Sequence, residues 1–357
     1  MRNEEKLLAY MEKEGLDGFY VRKKENVRYI SGYTGDDSGL FVTRGKWYFL
    51  TDPRYTEQVG MECPDYEIVN TRAKPGTPLG QVIAGLAVKQ NVKRLAFEAE
   101  VMNFQEYEGF RAAVKAELIP TAEVIERMRM IKSPEEIANL RVACDISCRA
   151  FERILQEIRV GVTEKELAAK LSLFMVQEGS DTMPYGNILI SGARTSLLHG
   201  IPSEKAVEYG DFVLMDFGCQ YHGYLSDMTR TVIVGKPTAR QQEVYDLERQ
   251  MVADSLAVTK AGTPCPEVYK ASLKAVAGTE YEPYTYGNIG HGIGLFVHEL
   301  PYSSAASPDV LQAGNVRTIE PGIYIPGWGG VRIEDQILVT QDGYENMIST
   351  THELIVL

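Results

Sequence analysis

The chain has 357 residues, 44% hydrophobic and 24% charged, which suits a soluble globular protein of two or three domains with room for a real core. Its net charge of −12 argues against nucleic acid or an anionic membrane surface as the main partner. No apolar run approaches the length of a membrane span, and the charged, amphipathic opening MRNEEKLLAYMEKEGL does not read as a signal peptide.

Taken in order, residues 1–125 alternate between helix and strand patterns. Asn3–Glu14 has the spacing of an amphipathic helix, and Gly18–Val21 is a short apolar strand. Leu40–Thr43 and Lys46–Thr51 are strands joined through Arg44-Gly45, a hairpin signal. Strand Tyr66–Val69, helix Leu79–Gln90, strand Arg94–Glu98, helix Phe104–Val114 and strand Glu117–Pro120 complete an α/β N-terminal domain. This stretch holds no histidine and no reactive cluster, so its expected role is to cover or shape a site elsewhere and to help the protein dimerise.

A second domain is expected over 126–357, its first strong helix signal following Ile131. Ser133-Pro134-Glu135-Glu136 combines an N-cap serine, proline at the first helical position and a capping-box glutamate. Apolar residues then keep helical spacing through Ile158, up to a stop at Gly161. Thr163 and Glu166 form a second capping box, for a helix ending near Gly179. The five cysteines, Cys63, Cys144, Cys148, Cys219 and Cys265, are odd in number and scattered, which suits free thiols in a reducing cytoplasm. Cys144 and Cys148, one helical turn apart, read as helix packing.

Strand-like Ile188–Ile190 and the segment Leu198-His199-Gly200 lead to a hairpin. Phe212–Met215 is apolar enough for a buried strand, Gly218 and Gly223 flank a polar turn, and Tyr224–Val234 returns as the second strand. Asp216 ends the first strand and Asp227 opens the second. This plan then repeats: a long helix over Ala239–Lys260, a shorter helix, and a second hairpin. Gly210…Asp216-Phe-Gly218 lines up with Gly314…Glu320-Pro-Gly322, and Asp227 is answered by Glu334. The offsets are 104 residues for the first pair and 107 for the second. A duplicated helix–helix–strand unit would bring two carboxylates from each half to one centre.

Four carboxylates in a partly buried place cannot all stay charged without cations, and two divalent ions balance them. Carboxylates suit hard or borderline ions, and an added imidazole shifts the preference towards Mn, Fe, Co or Zn over Ca. Of the five histidines, His291 and His298 stand in a glycine-rich start running into a strand-like stretch, the first a candidate ligand and the second a candidate proton donor. His222 reads as turn surface and His352 as tail surface.

The set DFG…SDMTRT, HGIGLFVHE, TIEPGIY and VRIED, in that order, resembles the metallopeptidases of the pita-bread fold, family M24, and among them the Xaa-Pro peptidases aminopeptidase P and prolidase. The resemblance implies an α+β pita-bread domain after a smaller, creatinase-like N-terminal domain, acting on peptides with proline at the second position. It makes Asp216, Asp227, His291, Glu320 and Glu334 the ligands of a dinuclear site, with Asp227 and Glu334 bridging. Glu320 doubles as the base, and His199, His298 and Arg332 match outer catalytic and substrate-binding positions. Mn2+ is the first expectation for the metal, with Co2+, Zn2+ or Fe2+ as alternatives, and a homodimer for the assembly. Ligand spacings of 11, 64, 29 and 14 residues look prolidase-like, and Tyr221 and Tyr324 are candidates for the proline slot. Arg317, Phe296 and Ala193-Arg194 depart from the family pattern, away from the ligands, and bear on substrate preference. Two other functions fit such a scaffold: a metal-dependent hydrolase or lyase of a small non-peptide substrate, and a non-catalytic binding protein.

Overall fold

In the computed structural model, which describes residues 2–74, 76–182 and 186–357, the chain divides into a unit ending at Arg129 and a second starting at Met130. In the first, α1 (Asn3–Lys13), β1 (Gly18–Val21), α2 (Lys24–Ser31), β2 (Gly39–Thr43) and β3 (Trp47–Thr51) are followed by α3 (Thr56–Glu62), β4 (Glu67–Asn70), α4 (Leu79–Lys89), β5 (Arg94–Glu98), α5 (Phe104–Ala113), β6 (Glu117–Thr121) and α6 (Val124–Arg129). The strands make one sheet in the order β4-β3-β2-β1-β5-β6, antiparallel at β1–β2–β3 and parallel elsewhere. Tyr20, Phe41, Leu95 and Phe97 on its face pack with Ile83, Leu86 and Phe110 from α4 and α5. The sequence pattern misses α6, α2 and α3. The latter buries only Val59, so it has no apolar period to read.

The second unit opens with α7 (Pro134–Ile154) and α8 (Glu164–Gln177), both started by the expected capping boxes. Ser133 Oγ accepts from the Glu136 amide at 3.2 Å, and Glu136 Oε2 accepts from the Ser133 amide at 2.8 Å. Helix α7 stops at Ile154 rather than near Gly161. Ile158 still faces the core, but the Gly161 amide donates to the Val207 carbonyl at 2.9 Å, drawing the chain out of the helix. Next come β7 (Ile188–Ser191), β8 (Phe212–Phe217), β9 (Gln220–Tyr221), β10 (Tyr224–Leu225) and β11 (Met228–Ile233). Helices α9 (Ala239–Val258) and α10 (Cys265–Ser272) precede β12 (Val316–Ile319), β13 (Gly322–Ile325), β14 (Gly329–Arg332), β15 (Asp335–Val339) and β16 (Tyr344–Asn346).

Helix pair, outer ladder and tip hairpin therefore occur twice. Ladder β8–β11 carries the tip β9–β10, and ladder β12–β15 carries the tip β13–β14. Strand residues alternate between two cores. Val213, Met215 and Phe217 join the core of α7 and α8, while Phe212, Ile319 and Ile337 join that of α9 and α10. No helix among the described residues is long and apolar enough to cross a membrane.

A backbone bridge between Thr229 and Glu334 splices the two halves. Arg230, 1% exposed, clamps it: Nη1 donates to the carbonyls of Thr229 at 2.8 Å and Glu334 at 2.6 Å, while Nη2 donates to Asp335 Oδ1 at 2.8 Å. Removing one member of a buried pair strands the other charge. An Arg230→Met variant is expected to lose about 3–5 kcal/mol in chemical denaturation. A loss below about 1 kcal/mol would mean that the clamp does not hold the halves together.

Candidate metal centre

The acidic residues sit where each ladder hands over to its tip hairpin. Asp216 lies on β8 opposite Thr229, Asp227 between β10 and β11, Glu320 between β12 and β13, and Glu334 between β14 and β15. The fifth group, His291, comes from a loop, and the stretch after it, expected to run on as a strand, is looped as well. Gly292 and Glu299 exchange backbone hydrogen bonds at 2.9 and 2.8 Å, which folds 292–299 back on itself. Buried Lys132 closes the loop by donating to Glu299 Oε2 at 3.1 Å, while Glu299 Oε1 accepts from the Phe296 amide at 2.9 Å. Just before the loop, Gly290 has φ +146°, and a Cβ there would lie 2.2 Å from the Thr318 carbonyl oxygen. Only glycine fits that approach.

Each ligand candidate is steered by a neighbour. Thr318 Oγ1 donates to Glu320 Oε1 at 3.1 Å and accepts from the His291 amide at 3.1 Å. Thr229 Oγ1 donates to Glu334 Oε2 at 2.7 Å, and the Asp227 amide donates to Gln336 Oε1 at 2.9 Å. His291 Nδ1 lies 2.9 Å from the Gly292 carbonyl, which leaves Nε2 facing Glu320 Oε1 at 3.2 Å and Asp227 Oδ2 at 3.7 Å. Among the described residues, ligand atoms of Asp227, His291 and Glu334 all lie within 4.8 Å of one another. Glu334 Oε1 is buried with no hydrogen-bond partner among those residues. Carboxylate oxygens with one imidazole nitrogen, one oxygen left without a partner, fit a divalent cation.

Protons register the same crowding. Burial and the neighbouring Asp227 and Glu320 push the Glu334 carboxyl well above its usual value, and burial raises Asp216 against the pull of Arg332. Burial disfavours a charged His291, but the Glu320 and Asp227 carboxylates outweigh it and lift the ring to about 9. Glu320 is held low by His291 in spite of burial. A folded-state value above the ordinary 6.5 means that His291 contributes stability below that pH, lost as pH rises through about 9. The raised Glu334 acts with the same sign. Chelator-treated protein is therefore expected to lose roughly 5 °C of melting temperature between pH 6.5 and 9 by calorimetry. A flat or rising profile would show that Glu320 and Asp227 do not lift His291 as described.

A cavity of about 640 Å³ opens onto this cluster, lined by Asp216, Asp227, His291 and Glu320 together with His199, His298, Tyr324 and Arg332. The His298 ring meets His291 edge-on at 4.5 Å and is held below the ordinary imidazole value by desolvation and by His291. His199 lies in an exposed turn on the cavity wall. Arg332 donates to Asp216, to Tyr324 Oη at 2.8 Å and to Thr229 Oγ1 at 3.1 Å. Of the two tyrosines considered for the proline slot, only Tyr324 lines the cavity. Tyr221 packs beside the core of α7 and α8 and stacks on exposed His222. His352 is no loose tail residue, since its Nε2 stands 2.7 Å from the buried Asp335 Oδ2. The sequence pattern does not mark out Thr229, Thr318 or Gln336. The two threonines stand two residues from Asp227 and Glu320, on the same strand face, and that period was the available signal.

Residues 138–341 match the metallopeptidase family M24 profile, and residues 4–131 match the creatinase/prolidase N-terminal domain. The chain belongs to metallopeptidase family M24. It is 40% identical over 355 residues to the uncharacterized peptidase YqhT of Bacillus subtilis, spanning 99% of both chains. Among solved structures it is similar to an Xaa-Pro dipeptidase from Bacillus anthracis, with TM-score 0.94 and 37% identity over 99% of each chain. It is likewise similar to an X-Pro aminopeptidase from Thermotoga maritima, with TM-score 0.92 and 31% identity over 99% of each chain. The catalytic unit thus has the α+β pita-bread fold of M24, a family that works with divalent metals, and the buried carboxylate–histidine cluster suits such ions.

Proposed function

We propose that this M24 member hydrolyses the bond between an N-terminal residue and a following proline, with two divalent ions held by Asp216, Asp227, His291, Glu320 and Glu334. The observation that carries this reading is the meeting of four carboxylates from matching hand-over points of two duplicated hairpins with an imidazole from a loop, beside one cavity. Asp227 and Glu334, whose ligand atoms lie within 4.8 Å of each other, would be the ligands common to both ions, with Mn2+ as the ion of first choice. Bound there, such ions supply Lewis acidity and bring the pKa of a water towards neutrality.

The chain's own groups do the rest. Glu320, fixed by Thr318, takes the proton of the attacking water and returns it to the proline nitrogen as the C–N bond breaks. His298 and His199 donate to the carbonyl oxygen as it gains charge. Arg332 favours the ionised form of Asp216 against its burial and points it inward. The Xaa-Pro amide has no N–H, so a peptidase that grips that donor cannot hold it. Ile188, Leu198, Pro202, Val297 and Tyr324 instead offer an apolar wall for the ring. The acidic chain and its five buried free thiols support a cytoplasmic setting, and a homodimer is the expected assembly.

Metal-stripped protein is expected to cleave peptides beginning Ala-Pro only after Mn2+ is restored. Asp227→Ala should fall to the metal-free background, with calorimetry showing weakened Mn2+ binding. Retained turnover in that variant would sink the ligand assignment.

A further inference from the structure

One wall of the cavity, from Leu198 to Pro202, is the top of an arch whose two feet are held by a single carboxylate. At its apex a turn leaves His199 exposed on the cavity wall, with Ile201 81% exposed beside it. Among the described residues the His199 ring makes no hydrogen bond, so the backbone that carries it sets its place. Glu164, the first residue of α8, is fully buried where the arch begins and ends. Its Oε1 accepts from the Ser191 amide at 2.8 Å and from Ser191 Oγ at 3.2 Å, on the way into the arch. Its Oε2 accepts from the Ser203 amide at 2.9 Å and from Ser203 Oγ at 2.7 Å, on the way out. Arg194 Nε donates to both oxygens at 3.2 and 3.1 Å, and its Nη2 reaches across the arch to the Ile201 carbonyl at 2.7 Å.

Starting α8 does not require this carboxylate, because Thr163 and Glu166 already form the capping box. Burying a charge is costly, and every donor that offsets the cost here belongs to the arch or its feet. We propose that Glu164 is a positioning residue for His199: by fixing both feet, it sets where the exposed ring stands against the carbonyl it serves. A misplacement of about 1 Å in such a group can cost about a hundredfold in rate. The inference rests on the role given to His199 in the Xaa-Pro reading, and it concerns the ring's placement and not the metal ligands.

The test is a double-mutant cycle on the full-length, Mn2+-loaded enzyme. It takes kcat and KM on Ala-Pro-Ala for the wild-type protein, Glu164→Gln, His199→Ala and the double variant, with Mn2+ affinity from titration calorimetry. Glutamine keeps one acceptor and turns a donor onto the serine amides. The backbone bonds from Glu164 to Lys205 at 3.0 Å and from Lys165 to Ser203 at 3.2 Å stay in place. Glu164→Gln is expected to lower kcat by about tenfold or more, and by less than about twofold once His199 is alanine. Its Mn2+ Kd should stay within about twofold of wild type. A wild-type kcat, an equal loss with and without His199, or a loss that follows Mn2+ affinity overturns the inference and leaves the Xaa-Pro reading standing. If Glu164→Gln does not fold, Arg194→Lys, which keeps the charge but cannot serve Glu164 and Ile201 together, takes its place in the cycle with the same outcomes deciding. A His199→Ala variant as active as wild type overturns the role given to His199, and a wild-type protein inactive on Ala-Pro-Ala overturns the Xaa-Pro reading; either takes this inference with it.

Discussion

Repulsion among Asp216, Asp227, Glu320 and Glu334 is the constraint on which the catalytic unit turns. Four carboxylates are brought together in a place where water cannot screen them, and their crowding raises the Glu334 carboxyl and the His291 ring above their ordinary values. Such an arrangement persists only because the backbone leaves it no escape. The Thr229–Glu334 bridge splices the two hairpins, so carboxylates from both halves are held at one junction. Repulsion stored in this way becomes affinity for a cation, which is how a hydrolytic centre keeps a high positive charge in place.

Buried basic groups around the centre have separate tasks. Arg230 ties the splice to Asp335 and the tail segment, through the carbonyls of Thr350 and Thr351 and the contact of His352 with Asp335. Lys132 folds the histidine loop by way of Glu299. Arg332 faces the cavity and neutralises Asp216. Arg317 differs from all three: it is fully buried, donates from Nε to the Thr318 carbonyl at 3.0 Å, and has the Cys265 thiol beside it rather than a carboxylate paired with it. Nothing in the structure explains why this position carries a charge. The other departures from the family pattern have plainer places. Arg194 pairs with buried Glu164 at 3.1 Å, and Phe296 is 41% exposed on the histidine loop.

Much of the fold was legible because its signals are local. Capping boxes at Ser133 and Thr163, glycines at turns and runs of alternating or helical spacing are each read within a few residues. The internal repeat was legible for a different reason, since duplicated hairpins kept a carboxylate and its flanking glycines in step. Where local patterns failed, a distant partner had intervened. Val207 draws Gly161 out of the helix that the apolar spacing extends, and the pairing of Gly292 with Glu299 overrides the strand-like look of the histidine stretch.

The sequence by itself determined which residue types could make the centre: four acids in duplicated settings, a histidine among glycines, and motifs whose order matches one metallopeptidase family. Tertiary structure alone decided which side chains share the cavity. It set Tyr324 on the wall and Tyr221 behind it, drew His352 onto Asp335, and bound Arg332 to Thr229, Tyr324 and Asp216. The physical reason is the range of the forces concerned. Helix caps, turns and strand alternation are settled by neighbours along the chain. Charge pairing and cavity shape depend on groups about a hundred residues apart, as Asp227 and Glu334 are, and become definite only once the splice between the halves has closed.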